Sequence, residues 1–166
     1  MLAYLKNRRG FTLIELMMVI AVIGILAAVL IPKIGSTKTT AKLSGVEANA
    51  RQVEAHVHGL ISRYKHNADD FRTALVNAIN SDSDSGADSG DINNPFDNTR
   101  YGAVNNNSDS GHAVNVSYST PADDLDTVGI VYVQVAHDGD DITEVTITPY
   151  DENGEAISTS EVTITP

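Results

Sequence analysis

Hydrophobic and polar positions divide the chain into three regimes. From Leu16 to Ile31 every residue is apolar or glycine, and with Leu13 and Ile14 the run approaches the roughly 20 residues that cross a bilayer core as a helix. From Val46 onward the pattern turns helical and amphipathic: Val46, Ala50, Val53, Val57, Leu60, Ile61 and Tyr64 recur three and four apart, a stripe that predicts a helix packed on a sheet. Asn67 with Asp70 reads as a helix cap before Ala68, Phe71, Leu75 and Ala78, predicting a second short helix over 68–80 or a continuation of the first. The rest reads as strands and turns. Tyr101–Val104 is a short edge strand and Ala113–Tyr118 alternates. Val128–Ala136 is β-branched enough for a central strand, and Ile142–Thr148 alternates again. Asp138-Gly139 and Asn153-Gly154 predict hairpin turns, and a last strand runs from Ala156 to Ile164. The string EVTITP occurs at 144–149 and again at 161–166, which predicts two similar strands, the C-terminal one pinned by ladder pairing.

Glu15 is the oddity in the apolar run. A carboxylate inside a membrane helix costs at least about 2.5 kcal/mol on insertion scales, so it asks for a partner. An ordinary secretory signal is cut behind small residues after its apolar region. Here Pro32, Lys33 and Ile34 follow that region, whereas Lys6, Arg8, Arg9 and Gly10 precede it. A cut after Gly10 leaves the hydrophobic helix as the new N-terminus and creates an α-amino group on Phe11. In a bundle of copies shifted along the helix axis, that amine can neutralise the Glu15 carboxylate of a neighbour.

These residues resemble the type IV pilin family and its relatives, the pseudopilins. The resemblance covers the basic leader, the run Gly10, Phe11, Thr12, Leu13, Ile14, Glu15, and Gly24 and Pro32 at the family's offsets within the helix. It implies an α+β pilin fold: a long N-terminal helix, hydrophobic in its first half, packed by its second half on a C-terminal antiparallel sheet. It also implies that residues 1–10 are a leader removed by a prepilin peptidase, that Phe11 is N-methylated, and that 11–35 form the membrane and filament-core helix. Residues 36–166 are then the soluble head, with helix to about 66–80, a loop at 81–91 and the sheet over about 101–166. Phe11, Glu15, Gly24 and Pro32 are the expected assembly residues. The expected partners are further copies of the chain in a helical filament, the peptidase, an ATPase-driven assembly machinery with its membrane platform, and the cytoplasmic membrane before export to the cell surface.

Composition narrows this picture. Cysteine is absent from the 166 residues, so no disulfide closes the C-terminal region and no thiolate holds a metal. Residues 1–66 hold nine of the 11 Lys and Arg; the remainder holds two against 19 acids, a formal −17 (2 − 19). Such a surface argues against nucleic-acid binding and fits an outward-facing, solvated domain. The Ser, Asp and Gly run at 81–91 predicts a solvated loop; Asp82, Asp84 and Asp88 are the calcium alternative, although Gly86 stands where an EF-hand loop has an acid. Asn94, Pro95, Phe96, Asp97 and Asn98 predict a turn whose Phe96 plugs into the core. No catalytic arrangement is apparent: His56 and His58 are two apart on a helix and face different ways, and His66, His112 and His137 have no partner pattern. Asn106 and Asn115 start N-glycosylation tripeptides. Three readings compete: the major pilin of a surface filament, a pseudopilin of a secretion or DNA-uptake apparatus, and a membrane-tethered binding domain.

Overall fold

The computed structural model describes residues 10–80, 92–97, 99, 102–106 and 111–166, with the backbone alone over 29–36. The calcium alternative at Asp82, Asp84 and Asp88 and the loop 81–91 lie outside the described residues. Two compact units divide the chain, Met1–Lys38 and Thr39–Pro166. In the first, the described structure is helix from Leu13 onward, and the backbone stays helical through Pro32, so the proline does not end the helix.

The second unit begins within the same helix, α1, Leu13–Tyr64. The amphipathic stripe is buried as its spacing requires: Val46, Ala50, Val53, Val57 and Ile61 enter the core, with Leu60 and Tyr64 at its margin. At Tyr64 the chain turns, Asn67 N–H donating to the Tyr64 carbonyl at 2.9 Å. Asn67 then caps a separate helix α2, Ala68–Asn80: its Oδ1 accepts the Asp70 amide at 3.0 Å and its Nδ2 donates to the Asp70 carboxylate at 2.8 Å. The buried face of α2 is Ala68, Phe71, Leu75 and Ile79, so the stripe passes through Ile79, with Ala78 only half-buried.

Among the described residues five strands form one sheet in sequence order: β1 Ala103–Val104, β2 Val114–Ser117, β3 Val131–Asp138, β4 Asp141–Pro149 and β5 Val162–Ile164. The sheet is mixed, which corrects the all-antiparallel expectation. β3, β4 and β5 are antiparallel neighbours, but β1 to β2 and β2 to β3 are parallel. The connection over 118–130 is long enough to return the chain to the starting side of the sheet, which a parallel pair demands. β2 is also buried on both faces: Val114 and Val116 join the main core, and the polar Asn115 and Ser117 on the other face are buried as well. Asn115 Nδ2 reaches the Asn106 carbonyl at 3.4 Å. Burial of Asn115 removes it as a glycan acceptor in the folded chain.

Three further boundaries differ from expectation. β3 begins at Val131 rather than Val128 because Val128 and Gly129 form a turn, with Gly129 at φ +69°. A Cβ there would collide with Asn94 Oδ1 and stand 2.6 Å from the Phe96 ring, so only glycine fits beneath this loop. In the β3–β4 hairpin Asp138 pairs with Asp141, which makes Gly139-Asp140 the central pair instead of Asp138-Gly139; Gly139 takes the positive φ, +60°, at the first central position. The expected strand over 156–164 is interrupted. Ala156 makes one bridge to Tyr150, Ser158–Ser160 form a short 3-10 turn, and only Val162–Ile164 join the ladder. Ser160 Oγ donates to the Glu47 carboxylate at 3.1 Å, an alternative to the ladder that serines readily take.

The loop at 92–97 is fastened from both sides. Asn94, wholly buried, donates through Nδ2 to the Val128 carbonyl at 2.7 Å and accepts the amides of Phe96 and Asp97 at 2.8 and 3.3 Å. Phe96 packs against the main core, and the Lys42 ammonium lies 5.1 Å from the centre of its ring. On the other face of β3 a smaller cluster gathers Leu125, Ile130 and Tyr132, with Tyr150 against it. Burial pushes the phenols of Tyr118, Tyr132 and Tyr150 above the ordinary tyrosine value.

Candidate functional site

The residues singled out for processing and assembly fall on the first unit. Gly10 and Phe11 precede the helix, both exposed; Phe11 presents 86 % of its surface. Thr12 is the N-cap and Glu15 is the third helical residue. Their side chains exchange bonds: Glu15 N–H donates to Thr12 Oγ1 at 3.3 Å, and Glu15 Oε2 accepts both the Thr12 amide at 2.9 Å and the Thr12 hydroxyl at 3.0 Å. This is a capping box, in which a threonine and an acid three residues on satisfy the amides that the first turn leaves without partners. The carboxylate also faces the positive end of the helix dipole.

Thr12, which the sequence offers only as part of the run Gly10–Glu15, is the residue that the structure adds beside Glu15. Its signal was present in Thr12-Leu13-Ile14-Glu15 ahead of an apolar run, the spacing of a capping box. In a single copy Glu15 therefore has a local partner. Pairing with a neighbour's amine means exchanging the Thr12 bonds for an ionic one, in an apolar setting where both ions lose water.

From Leu13 to Leu26, Glu15 apart, the helix is apolar on every side. Leu13, Ile14, Leu16, Met17, Met18, Val19, Ile20, Val22, Ile23, Ile25 and Leu26 are all exposed in the single chain. A helix hydrophobic around its whole circumference is stable only against lipid or other apolar helices. Among the described residues no helix is long and apolar enough to cross a membrane; described side chains of the apolar run stop at Ala28, short of its end at Ile31. Gly24 is exposed and a Cβ there would meet nothing within 4 Å. Nine residues separate it from Glu15, which at about 3.6 residues per turn puts it on the opposite side of the helix. Pro32 lies in the stretch of helical backbone. Glu15, Gly24 and Pro32 thus follow one another along one helix on different sides of it and form no pocket.

In the second unit His58 faces Glu54, His66 meets Asp141 at 2.7 Å and the His137 ring lies tilted against Tyr118, with centroids 4.3 Å apart. Among the described residues no group of three or more His, Asp or Glu is arranged to hold a metal ion.

Residues 5–31 match the prokaryotic N-terminal methylation motif. Neither the curated proteins nor the solved structures contain a match to the chain. The motif spans the basic leader, Gly10, Phe11, the Thr12–Glu15 box and the apolar helix up to Ile31, and the α+β arrangement behind it, a long helix followed by a five-stranded sheet, is consistent with the pilin fold. Residues 5–31 thus carry the class III signal motif of type IV pilins and pseudopilins, which supports a pilin-like or pseudopilin precursor.

Proposed function

We propose that this chain is the major pilin of a type IV pilus, a structural subunit stored in the cytoplasmic membrane and assembled into a cell-surface filament for adhesion, motility or related surface work. The observation that carries the reading is the helix from Leu13, apolar on all sides and opened by a capped carboxylate. A prepilin peptidase cuts after Gly10 and methylates Phe11. The leader's Lys6, Arg8 and Arg9 hold it on the cytoplasmic side until then. Lipid tails are as apolar as Leu16 or Ile25, so the apolar face alone gives no preference for other subunits over lipid. The ionic pair between Glu15 and a neighbour's Phe11 amine supplies that preference and fixes the axial step, while an ATPase-driven platform delivers subunits. The role needs no cofactor and no nucleic acid.

The decisive experiment compares Glu15→Ala with the unsubstituted chain in sheared surface material. Glu15→Ala inserts and is cleaved but enters filaments poorly, whereas Thr12→Ala, which removes only the local cap, assembles with a much smaller loss. Assembly of Glu15→Ala at undiminished yield and helical rise would remove the pairing mechanism. Retention of Met1 in surface material would remove the processing step. The second reading, a pseudopilin of a secretion or DNA-uptake apparatus, draws on the proline-aromatic loop at 94–97, which resembles loops of some pseudopilins; a cell that secretes or takes up DNA normally without this gene would exclude it.

A further inference from the structure

The string EVTITP occurs twice, and the fold pairs the two copies with each other. β4 and β5 run antiparallel with Val145 opposite Ile164, Thr146 opposite Thr163 and Ile147 opposite Val162. Since the strings are identical, this ladder has a local twofold axis between the two central threonines, and each valine faces the other string's isoleucine. The sequence is therefore complementary to itself when reversed, which is the property that a symmetric contact between identical chains requires.

β5 is also the last strand of the sheet. Among the described residues its outer edge faces no strand, and no backbone hydrogen bond reaches 161–166 apart from the ladder with β4. Alongside lies an open groove of about 200 Å³, bounded on one side by Ala50, Arg51 and Glu54 of α1 and on the other by Val162. An edge with free backbone groups is a template for a further strand.

We propose that the outer edge of β5 pairs antiparallel with β5 of a second copy of this chain, in the register that β4 and β5 already use. Thr163 then lies opposite Thr163 of the second copy, and Val162 opposite its Ile164. Val162 borders the groove beside α1, so the incoming valine and isoleucine, on the same face of the extended sheet, come to lie there as well. The register sets Glu161 against Thr165 of the second copy, so no two carboxylates stand directly opposed across the new ladder. A twofold contact closes on itself and cannot continue a helical series. It joins heads in pairs, either between two subunits in the membrane or between two neighbouring filaments, and it stands whether or not the filament reading does.

The chain has no cysteine, which makes the test direct. In the full chain, Thr163→Cys puts two thiols opposite each other at the axis, where facing residues have Cβ atoms about 4.5–5.5 Å apart, near the about 3.5–4.5 Å of a disulfide. Thr143→Cys, exposed on β4 and away from the axis, reports random collision. Mild oxidation of membranes and of sheared surface material should convert most Thr163→Cys chains to a covalent dimer in at least one of the two fractions, while Thr143→Cys stays largely monomeric. A dimer in membranes assigns the contact to stored subunits; one confined to surface material assigns it to adjoining filaments. Equal, low dimer yields for both variants in both fractions overturn the proposal. Dimers at Thr163→Cys without any filaments would leave this pairing standing and remove the pilus reading, and filaments without such dimers would do the reverse.

Discussion

Gly45 of α1 lies directly beneath Pro95: a Cβ at Gly45 would come within 2.9 Å of the proline Cγ. A glycine inside a helix normally costs about 1 kcal/mol against alanine, so Gly→Ala on an exposed helix face stabilises. Gly59, with nothing within 4 Å of its Cβ position, should follow that rule. Gly45 should reverse it, since the rigid proline ring must move and the loop bonds behind it, including Asn49 Nδ2 to the Asn93 carbonyl at 2.8 Å, move with it. Urea unfolding of the detergent-solubilised chain is expected to show Gly59→Ala with a raised midpoint and Gly45→Ala with a lowered one.

Asn94 joins three backbone groups from a position with no solvent contact. Asn94→Ala leaves the half-buried Val128 carbonyl and Phe96 amide without this partner, a loss of about 1 to 3 kcal/mol at the usual cost of such groups. The same urea titration measures it, and Asn94→Asp should not rescue, because a carboxylate cannot donate to the Val128 carbonyl. A midpoint for Asn94→Ala equal to that of the unsubstituted chain would show that the loop contributes nothing to the fold.

Burial is the main cause that raises the phenols of Tyr132 and Tyr150 above the ordinary 10.0. The native state therefore keeps its phenolic protons where the unfolded chain releases them. That contribution to stability is complete below the unfolded-state value and is lost as pH rises through the higher native-state values. Circular dichroism followed from about pH 9 to 12, across the ordinary phenol range, should show cooperative alkaline unfolding. Tyr150→Phe, which removes one of these ionisations, is expected to move that transition to higher pH. Tyr132→Phe should move it less, because it also loses the hydroxyl bond to the Ser119 carbonyl at 2.9 Å.

The aspartate run at 81–91 bears on divalent cations. With a plain solvated loop there, millimolar chelator leaves the melting temperature of the purified chain unchanged. A fall on chelation that calcium restores would instead assign Asp82, Asp84 and Asp88 a ligand role, through the linkage of binding to folding.

The sequence was most readable where one periodicity ruled. Val46 through Ile61 are buried as their spacing requires, and Asn67 caps α2 with Asp70 as its partner. It was least readable where burial was two-sided or where side chains competed with the ladder. Val-Asn-Val-Ser over 114–117 reads as a half-exposed strand, yet Asn115 and Ser117 are buried too, which no local pattern announces. Ser158–Ser160 carry enough β-branched company to pass for strand, but Ser160 bonds to Glu47, more than a hundred positions earlier. Parallel pairing of β1, β2 and β3 depends on the path of connecting loops, which strand composition does not encode. At the N-terminus, Gly10, Phe11 and Glu15 stood out at once; Thr12 was legible only through its spacing from Glu15.

The main core has a consequence in time. Val46, Ala50, Val53, Val57 and Ile61 share one core with residues of β3 and β4, such as Val133 and Ile147, which follow 72 (133 − 61) to 101 (147 − 46) positions later. As the chain emerges, N-terminal part first, the apolar stripe of α1 appears well before the strands that will shield it. Contacts of such long sequence separation form slowly, because a large loop must close first. During that interval the chain presents two adhesive surfaces in succession, the all-apolar helix and then the stripe. Under the proposed function, lipid takes up the first while the second waits for its sheet, which leaves only one of them open to wrong partners.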